Sequence, residues 1–315
     1  MTNRLDLKFS FQCNNRCIFC VQGRKREHMP DKTTEELEKV LLEKRATCEA
    51  VVFTGGEVSL REDLIEMVRF AKKAGYRSIQ IQTNGRRMSY MPFLDALIEA
   101  GATEFAPALH GSDAATHDTL TQAKGAFRQT LKGIINARKR GMPVILNTVI
   151  VEQNYKQLPA MTTLFGQLGI PQAQFAFVHA LGSAEEHFER VVPRYSELRP
   201  WLHEALKIGE RAGIRMMTEA VPFCMMIGME RFVAERIMPH TAIVDGQREI
   251  QSYAEYRWNE GKLRGPPCET CTWAQHCEGP WREYPGRFGW DEFTPRDDDP
   301  DTVLTAQPPS VGRRG

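Results

Sequence analysis

The sequence lacks any apolar run close to the roughly 18 residues that a membrane-spanning helix needs. It also lacks a secretory signal at its start, because MTNRLDLKFSF carries several charges and has no long apolar centre. These two absences argue against a membrane protein and against an exported one. We therefore expect a cytoplasmic protein with no membrane partner, in a compartment where thiols stay reduced.

The chain also has almost no net charge. Its 41 Lys and Arg residues oppose 40 Asp and Glu residues, which gives a formal charge of +1. A protein that tracks nucleic acid usually has a clear positive excess or a basic stripe. We therefore do not expect nucleic acid as a partner, and RNA modification is the least favoured of the functional classes considered below.

No cysteine occurs between Cys48 and Cys224, so most of the eight cysteines fall into two separate groups. Three lie in CNNRCIFC, at residues 13–20, and three lie in CETCTWAQHC, at residues 268–277. Under reducing conditions such groups are better explained as metal ligands than as disulfides. Cys48 stands alone before a strand-like segment, and we expect it to be a buried core residue.

Short segments rich in Val, Ile, Phe and Thr alternate with helical patterns through about residue 215. They predict six strands, at residues 5–11, 50–55, 78–83, 104–110, 143–151 and 172–179. Six strand–helix units in series imply a parallel sheet with helical crossovers, hence an α/β fold. The spacing alone does not separate an open, doubly wound sheet from a partial barrel.

The alternation stops after residue 215. Residues 225–238, MMIGMERFVAERIM, read as helical, and a Pro-, Gly- and Cys-rich stretch follows them. We expect a core domain at residues 1–215 and a small metal-stabilised module at residues 216–293. The last segment, residues 294–315, is rich in proline and charge, and its composition predicts a disordered tail.

Unusual motifs follow the first four predicted strands. They are CNNRCIFC, GGE at residues 55–57, TNG at residues 83–85 and HGS at residues 110–112. In parallel α/β folds, chemistry sits at the carboxyl ends of the strands, which share one edge. The four motifs therefore predict a single site.

The spacing of the first cysteine group, C-x3-C-x2-C, lets one loop hold three corners of an iron–sulfur cube. Four thiolates would saturate the four irons, whereas three leave one iron open for a small molecule. The alternative for Cys13, Cys17 and Cys20 is a structural zinc site with a distant fourth ligand. Zinc alone, however, would not require GGE and TNG at the same edge.

These motifs together resemble those of the radical S-adenosylmethionine (radical SAM) superfamily over residues 5–180. CNNRCIFC matches its CxxxCxxC motif, including the aromatic Phe19 before the last cysteine. FTGGEVSL is similar to its GGEP motif, with Val58 in place of proline. The resemblance implies a partial (β/α)6 TIM-type barrel followed by a small Cys-rich module.

The same resemblance implies cofactors and a reaction. Cys13, Cys17 and Cys20 would hold a [4Fe–4S] cluster that binds SAM and, when reduced, cleaves it to a 5′-deoxyadenosyl radical. This radical abstracts hydrogen from a substrate, and a flavodoxin or ferredoxin would supply the electron. The residues implied for SAM are Gly55, Gly56, Glu57, Asn84, Ser112 and Asn147. Each of the last three has an equally good alternative as a turn or strand residue.

Three further groups of residues have a structural and a functional interpretation. We expect His110 and His179 to be structural, with substrate contact or proton transfer as the alternative. Arg24, Lys25 and Arg26 follow the cysteine loop, and we expect a solvated surface there. Contact with an anionic substrate or an electron donor is the alternative for these three.

The second cysteine group resembles the auxiliary-cluster region of radical SAM proteins with SPASM or Twitch domains. The SPASM pattern continues with further cysteines, but residue 281 is Trp and no cysteine follows Cys277. Cys224 is the upstream candidate that completes a set with Cys268, Cys271 and Cys277. This points to the shorter Twitch-like form with one auxiliary [4Fe–4S] cluster. Zinc is the alternative, because four thiolates also suit it, and His276 could replace a cysteine.

The sequence therefore predicts a radical SAM enzyme of peptide or protein maturation, or of cofactor or natural-product biosynthesis. No leader-binding domain is recognisable before the first strand, so the preference for a peptide over a small-molecule substrate is slight. An iron–sulfur electron-transfer or binding protein without SAM chemistry is the alternative from another class. Release of 5′-deoxyadenosine separates the two.

Overall fold

A computed structural model of the chain describes residues 3–246 and 248–306. Nine strands are present, and the first six match the predicted ones closely. The strands are β1 (Arg4–Ser10), β2 (Ala50–Gly55), β3 (Ser78–Thr83), β4 (Glu104–Pro107), β5 (Ile145–Ile150), β6 (Gln172–Phe177), β7 (Arg215–Glu219), β8 (Thr241–Asp245) and β9 (Arg248–Ile250).

Helices connect these strands in the alternation that the sequence predicts. They are α1 (Lys25–His28), α2 (Thr34–Arg45), α3 (Leu64–Lys73), α4 (Met91–Ala100), α5 (Ala114–Thr121), α6 (Ala126–Lys139), α7 (Leu158–Gln167), α8 (Ser183–Glu186), α9 (Phe188–Val191), α10 (Tyr195–Arg211), α11 (Tyr253–Tyr256), α12 (Glu283–Phe288) and α13 (Pro300–Ala306). The sequence TTEE at residues 33–36 has the spacing of a capping box, which predicts a helix start there. The start of α2 has this box, because the side chains of Thr33 and Glu36 each accept from the other residue's backbone N–H. No helix among the described residues is long and apolar enough to cross a membrane.

The strands form two parallel sheets, ordered β4-β3-β2-β1-β8-β9 and β5-β6-β7, with only β9 antiparallel. Single bridges, Phe105–Val144 and Ala108–Asn147, join β4 to the β5 edge. Eight parallel strands therefore follow one another from β8 round to β7. Because the described residues form no ladder between β7 and β8, the barrel is open at that side.

Along each strand of the barrel, side chains point alternately to the surrounding helices and to the barrel interior. On β1, Leu5, Leu7 and Phe9 are buried in the core with the helices, whereas Asp6 and Lys8 face the interior and pair at 3.3 Å. Asn147 of β5 pairs in register with Gln174 of β6. Closed TIM barrels fill this interior with branched apolar residues. The polar side chains here instead leave an interior that suits a polar ligand.

Three expectations for the C-terminal third are wrong. The parallel sheet does not end before residue 215, because β7 pairs with β6 and β8 pairs with β1, although only short turns and no α-helix join β7 to β8. Residues 225–238 do not form a helix but contain short 3₁₀ turns at Glu230–Phe232 and Ala234–Arg236. The predicted disordered tail is packed through residue 306, with Arg296 buried, while residues 307–315 lie outside the described residues.

Candidate active site and auxiliary metal centre

The cysteine loop that follows β1 is fixed by backbone hydrogen bonds to two neighbouring segments. The N–H groups of Arg16 and Ile18 donate to the carbonyls of Thr121 and Leu120 at the end of α5, at 2.8 and 3.1 Å. The N–H of Ser183 donates to Cys20 O at 3.0 Å. Cys13, Cys17 and Cys20 are each partly exposed on this loop. The fold thus presents three thiols together on a braced loop.

The surroundings of these thiols disfavour free thiolates. Burial raises the pKa of Cys13 above its ordinary value, and a hydrogen bond from Asn15 N–H to its Sγ at 3.3 Å offsets this only in part. Burial, followed by the charges of Cys20 and Cys13, raises the pKa of Cys17 strongly. Thiolates in such a place need a nearby positive centre. The donor set therefore fits a resident metal group.

The GGE segment at the end of β2 is bonded directly to the start of the cysteine loop. Gly56 N–H donates to Ser10 O and Glu57 N–H to Gln12 O, both at 2.7 Å. A Cβ at Gly55 would lie 2.2 Å from Ser10 O, and one at Gly56 would lie 2.3 Å from Gln12 O. Only glycine allows this approach. The two motifs that sequence separates by 35 or more residues therefore form one unit.

The side chain of Glu57 is wholly buried and already holds three donors. Its Oε1 accepts from Thr83 Oγ1 at 2.6 Å and from Ser59 N–H at 3.1 Å. Its Oε2 accepts from Asn84 N–H at 2.6 Å. The carboxylate thus ties the end of β2 to the end of β3. Its negative charge also contributes to the raised pKa of Cys13.

The other residues predicted to bind SAM have unequal surroundings. Asn84 Nδ2 donates to Asn14 Oδ1 of the cysteine loop at 2.6 Å. Asn147 Oδ1 is buried inside the barrel and accepts no hydrogen bond from the residues that the structure describes. Such an orphaned acceptor fits a polar ligand. Ser112, in contrast, donates its hydroxyl to Gln157 Oε1 at 3.0 Å, so its contact with SAM stays a prediction.

Three arginines converge on the cysteine loop from different elements. Arg16 Nη1 donates to Cys13 O at 2.7 Å, Arg86 Nη1 donates to Asn14 O at 2.7 Å, and Arg26 Nη1 donates to Asn15 O at 3.2 Å. None of the three makes a carboxylate ion pair with the residues described. They therefore leave uncompensated positive charge beside the loop. We refer to them as the loop arginines.

The two basic residues next to Arg26 have partners of their own. Arg24 pairs with Glu186 at 2.8 Å and Lys25 pairs with Asp245 at 2.6 Å. The expected solvated surface is present at Arg24, which is exposed, whereas Lys25 and Arg26 are partly buried. Arg86, which the sequence did not single out, belongs beside the loop instead. Its position after TNG was the available signal.

The two histidines pack against neighbouring side chains, which is compatible with the structural role expected for them. Burial, with a contribution from His117, lowers the pKa of His110 to about 3, and its ring packs against Phe19 of the cysteine loop at 4.8 Å. His179 stacks on Trp281 with ring centroids 3.8 Å apart, and its Nε2 lies 3.5 Å from Glu283 Oε2. His179 thus joins the end of β6 to the C-terminal module. Cys48 is buried, which confirms the core prediction.

The second cysteine group lines one enclosed, mainly apolar cavity. Cys224, Cys268, Cys271 and Cys277 all face it, together with Phe223, Phe293 and Pro295 among others. Burial, then the charges of the other three thiols, raises the pKa of Cys224 to about 12. Four thiols whose ionised forms repel one another fit a metal group as ligands. His276 is exposed and does not line this cavity.

Backbone N–H groups reach two of these sulfurs. Arg296 N–H donates to Cys271 Sγ at 3.3 Å, and Gly279 N–H donates to Cys277 Sγ at 3.4 Å. Such bonds stabilise thiolates and tune the potential of a cluster. Across the described residues, no three His, Cys, Asp or Glu side chains lie close enough together to bind a single metal ion. The thiolates that bind a [4Fe–4S] cube lie farther apart, because each binds a different iron. The wider spacing of the four cysteines is therefore compatible with a cube.

The family model "Radical SAM superfamily" matches residues 7–165, which include the cysteine loop, GGE and TNG. The chain belongs to the radical SAM superfamily. Members of this superfamily are enzymes that use a [4Fe–4S] cluster and SAM, so the resemblance drawn from the sequence is confirmed.

Curated relatives match about three fifths of this radical SAM chain. The AdoMet-dependent heme synthase of Methanosarcina barkeri is 28% identical over 62% of this chain and 56% of that protein. A protein named Probable GTP 3′,8-cyclase, from Saccharolobus islandicus, is 28% identical over 59% of this chain and 60% of that protein. The chain therefore spans less than two thirds of these relatives.

Solved structures share the fold over a longer stretch. Streptococcus suis SuiB bound to S-adenosylmethionine has a TM-score of 0.64 and 14% identity, over 94% of this chain and 76% of that chain. HemN, the coproporphyrinogen III oxidase of Escherichia coli, has a TM-score of 0.53 and 13% identity, over 80% and 62%. These two solved structures therefore share the fold of this chain over 94% and 80% of its length.

Proposed function

We propose that Cys13, Cys17 and Cys20 hold the SAM-binding [4Fe–4S] cluster of this enzyme. The observation that carries this is the direct bonding of the GGE segment to the cysteine loop at Ser10 and Gln12. It brings three thiols, two glycines and the ends of β2 and β3 into one unit. When bound, the cluster and SAM supply a 5′-deoxyadenosyl radical that takes hydrogen from the substrate.

The chain's own residues position these cofactors. Gly55 and Gly56 present backbone close to the cysteine loop, and Glu57 fixes the neighbouring backbone of Asn84. Asn147 offers an unused acceptor inside the barrel. We assign SAM to the space between these groups, with Ser112 at its edge. In this arrangement, backbone groups contribute more to cofactor binding than free charged side chains do.

The loop arginines favour an acidic electron donor such as a flavodoxin or ferredoxin. Arg16 is exposed and bonds the carbonyl of Cys13, so an anionic protein that contacts it comes close to the cluster loop. Positive charge on one surface and negative charge on the other raise the rate of encounter. The reductant is therefore expected at this side of the barrel.

A modified peptide is the substrate class that we favour. SuiB, whose fold matches 94% of this chain, has also been solved with its precursor peptide SuiA. The heme synthase and cyclase relatives match 62% and 59% of this chain, and their names favour a small molecule of cofactor biosynthesis instead. We further propose an auxiliary [4Fe–4S] cluster at Cys224, Cys268, Cys271 and Cys277, which is supported by the single cavity that all four line.

Anaerobic reconstitution followed by reduction with dithionite tests the assignment. The holoprotein should release 5′-deoxyadenosine from SAM, measured by chromatography. A panel of ribosomal peptides, GTP and iron coproporphyrin then tests the substrate class, because the true class should accelerate release. Absence of 5′-deoxyadenosine from protein with full iron content would favour an electron-transfer protein without SAM chemistry.

A further inference from the structure

The segment 293–298 closes the four-cysteine cavity, and we call it the strap. Phe293, Thr294 and Pro295 form part of the cavity wall. The backbone carbonyl of Arg296 accepts from Thr272 N–H at 3.0 Å, and Asp298 Oδ1 accepts from Trp273 Nε1 at 2.9 Å. The strap is therefore bonded along the Cys271 segment, although its composition predicts disorder.

Arg296 reaches both cysteine segments from the strap. Its N–H donates to Cys271 Sγ at 3.3 Å. Its Nη1 donates to Phe223 O, the residue before Cys224, at 3.3 Å. Cys224 precedes Cys268 by 44 positions, so these segments need a physical link to meet. Arg296 supplies one.

The guanidinium of Arg296 is held in a buried ionic and aromatic frame. It pairs with Glu230 at 2.6 Å and with Asp298 at 2.5 Å. It also lies 3.9 Å from the ring centre of Trp273. The Glu230 side chain has no exposed surface, and only 5% of the Arg296 side chain is exposed. The planar guanidinium group has several N–H donors and can make all these contacts at once. The ammonium group of a lysine could not make all of them together.

We propose that Arg296 is the positioning residue that assembles the auxiliary centre, with the strap as its cover. This rests on the proposed four-thiolate centre and adds how its two segments are joined and closed. Because the strap and Phe223 enclose the cavity, the centre serves electron transfer rather than direct substrate binding. The Arg296 N–H at Cys271 also stabilises the sulfur's negative charge, which raises the reduction potential.

The test uses the full chain with Cys13, Cys17 and Cys20 replaced by Ala, so that the auxiliary centre alone holds iron. This protein should contain about four irons after reconstitution. Arg296→Gln should then lose iron to a chelator about tenfold faster or more, as expected for a lost charge-assisted contact. The substitution keeps the backbone N–H that bonds Cys271 Sγ but removes the guanidinium charge, so any cluster that remains should have an altered EPR signal and a lower midpoint potential.

Two variants separate positioning from general stability. Arg287→Gln removes the same charge from a module residue whose side chain is 55% exposed, and it should leave iron release and the EPR signal unchanged. The pair Arg296→Gln with Glu230→Gln leaves no unpaired buried charge, so it should fold if the single variant does not. Its cluster should still be labile. Compared with Arg296→Gln, Arg296→Lys should restore the stability of the fold but should still release iron faster than the parent protein.

Normal iron content, release rate and potential in folded Arg296→Gln, or in the double variant, would overturn the proposal. So would an equal loss in Arg287→Gln. These readouts do not depend on SAM. Failure of the intact protein to form 5′-deoxyadenosine would instead count against the proposed function and leave the role of Arg296 standing.

Discussion

The two cysteine centres of this molecule are built in opposite ways. Cys13, Cys17 and Cys20 lie on one short loop, close to the protein surface and to the loop arginines. Cys224, Cys268, Cys271 and Cys277 come from two distant segments and line a cavity that the strap encloses. An open loop suits a centre that must receive a cofactor and an electron. A closed cavity suits a centre that only exchanges electrons with its neighbours.

The largest expected effect separates the two centres completely. Replacing Cys13, Cys17 and Cys20 together with Ala should abolish 5′-deoxyadenosine formation and remove about four irons per chain, while the other centre stays loaded. Iron and sulfide analysis with product chromatography measures both effects. Cys48→Ala is the matched control, because Cys48 is buried in the core and should affect neither. SAM cleavage by the triple variant would refute the assignment.

The next effect tests whether the closed centre needs all four thiols. Adding Cys224→Ala to the triple variant should remove most of the remaining iron, because one corner of the cube loses its ligand. Metal analysis and EPR follow the loss. One zinc per chain in the triple variant would exclude the electron-transfer role of this module. An alkylatable Cys224 in the native holoprotein would leave a three-thiol site there.

A smaller effect concerns the unit formed by GGE and the cysteine loop. Glu57→Gln exchanges one acceptor for a donor opposite Asn84 N–H or Thr83 Oγ1. Glu57 holds Thr83 and the backbone of Asn84 in place beside the proposed SAM site, so disturbing these bonds should weaken SAM binding about tenfold, with iron content nearly unchanged. Equilibrium binding of SAM measures this. The exposed neighbour variant Glu62→Gln should bind normally, and equal affinity in both would restrict Glu57 to a structural role.

The smallest effect concerns the charge beside the open centre. Arg16→Gln should slow cluster reduction by an acidic flavodoxin about two- to fivefold at low salt, the size expected for one surface ion pair. Stopped-flow absorbance measures the rate. Reduction by cationic methyl viologen should not slow, and the exposed Arg211→Gln should leave both rates unchanged. A rate with flavodoxin that is independent of both Arg16 and salt would contradict donor docking at the loop arginines.

The sequence predicts the strands and helices of the barrel well because each depends mainly on the pattern of residues within its own segment. The six strands predicted from β-branched and aromatic runs are all present, and the capping box of α2 forms as expected. The cysteine loop and GGE were also recognisable, since spacing within one short motif carries the information. Their direct bonding depends on parallel pairing of β1 with β2, which the strand order made predictable.

The C-terminal region was harder because its order depends on contacts between distant residues. β7 contains Met216 and Met217, which have little strand preference alone, yet it completes the sheet beside β6. The strap looks disordered by composition, but Arg296 is fixed by Glu230 and Trp273. Neither partner is near it in sequence. Glu57 likewise looked like a free ligand, and only the fold shows its three donors.

The position of the strap also sets an order of events during synthesis. Chains fold from the N-terminus as they leave the ribosome. The backbone hydrogen bonds described above for the first cysteine loop come from residues up to Ser183, which are all synthesised before Cys224. Arg296 emerges after all four auxiliary cysteines. We therefore expect the first cluster site to be ready for loading before the strap has been synthesised, whereas the second site also needs the strap.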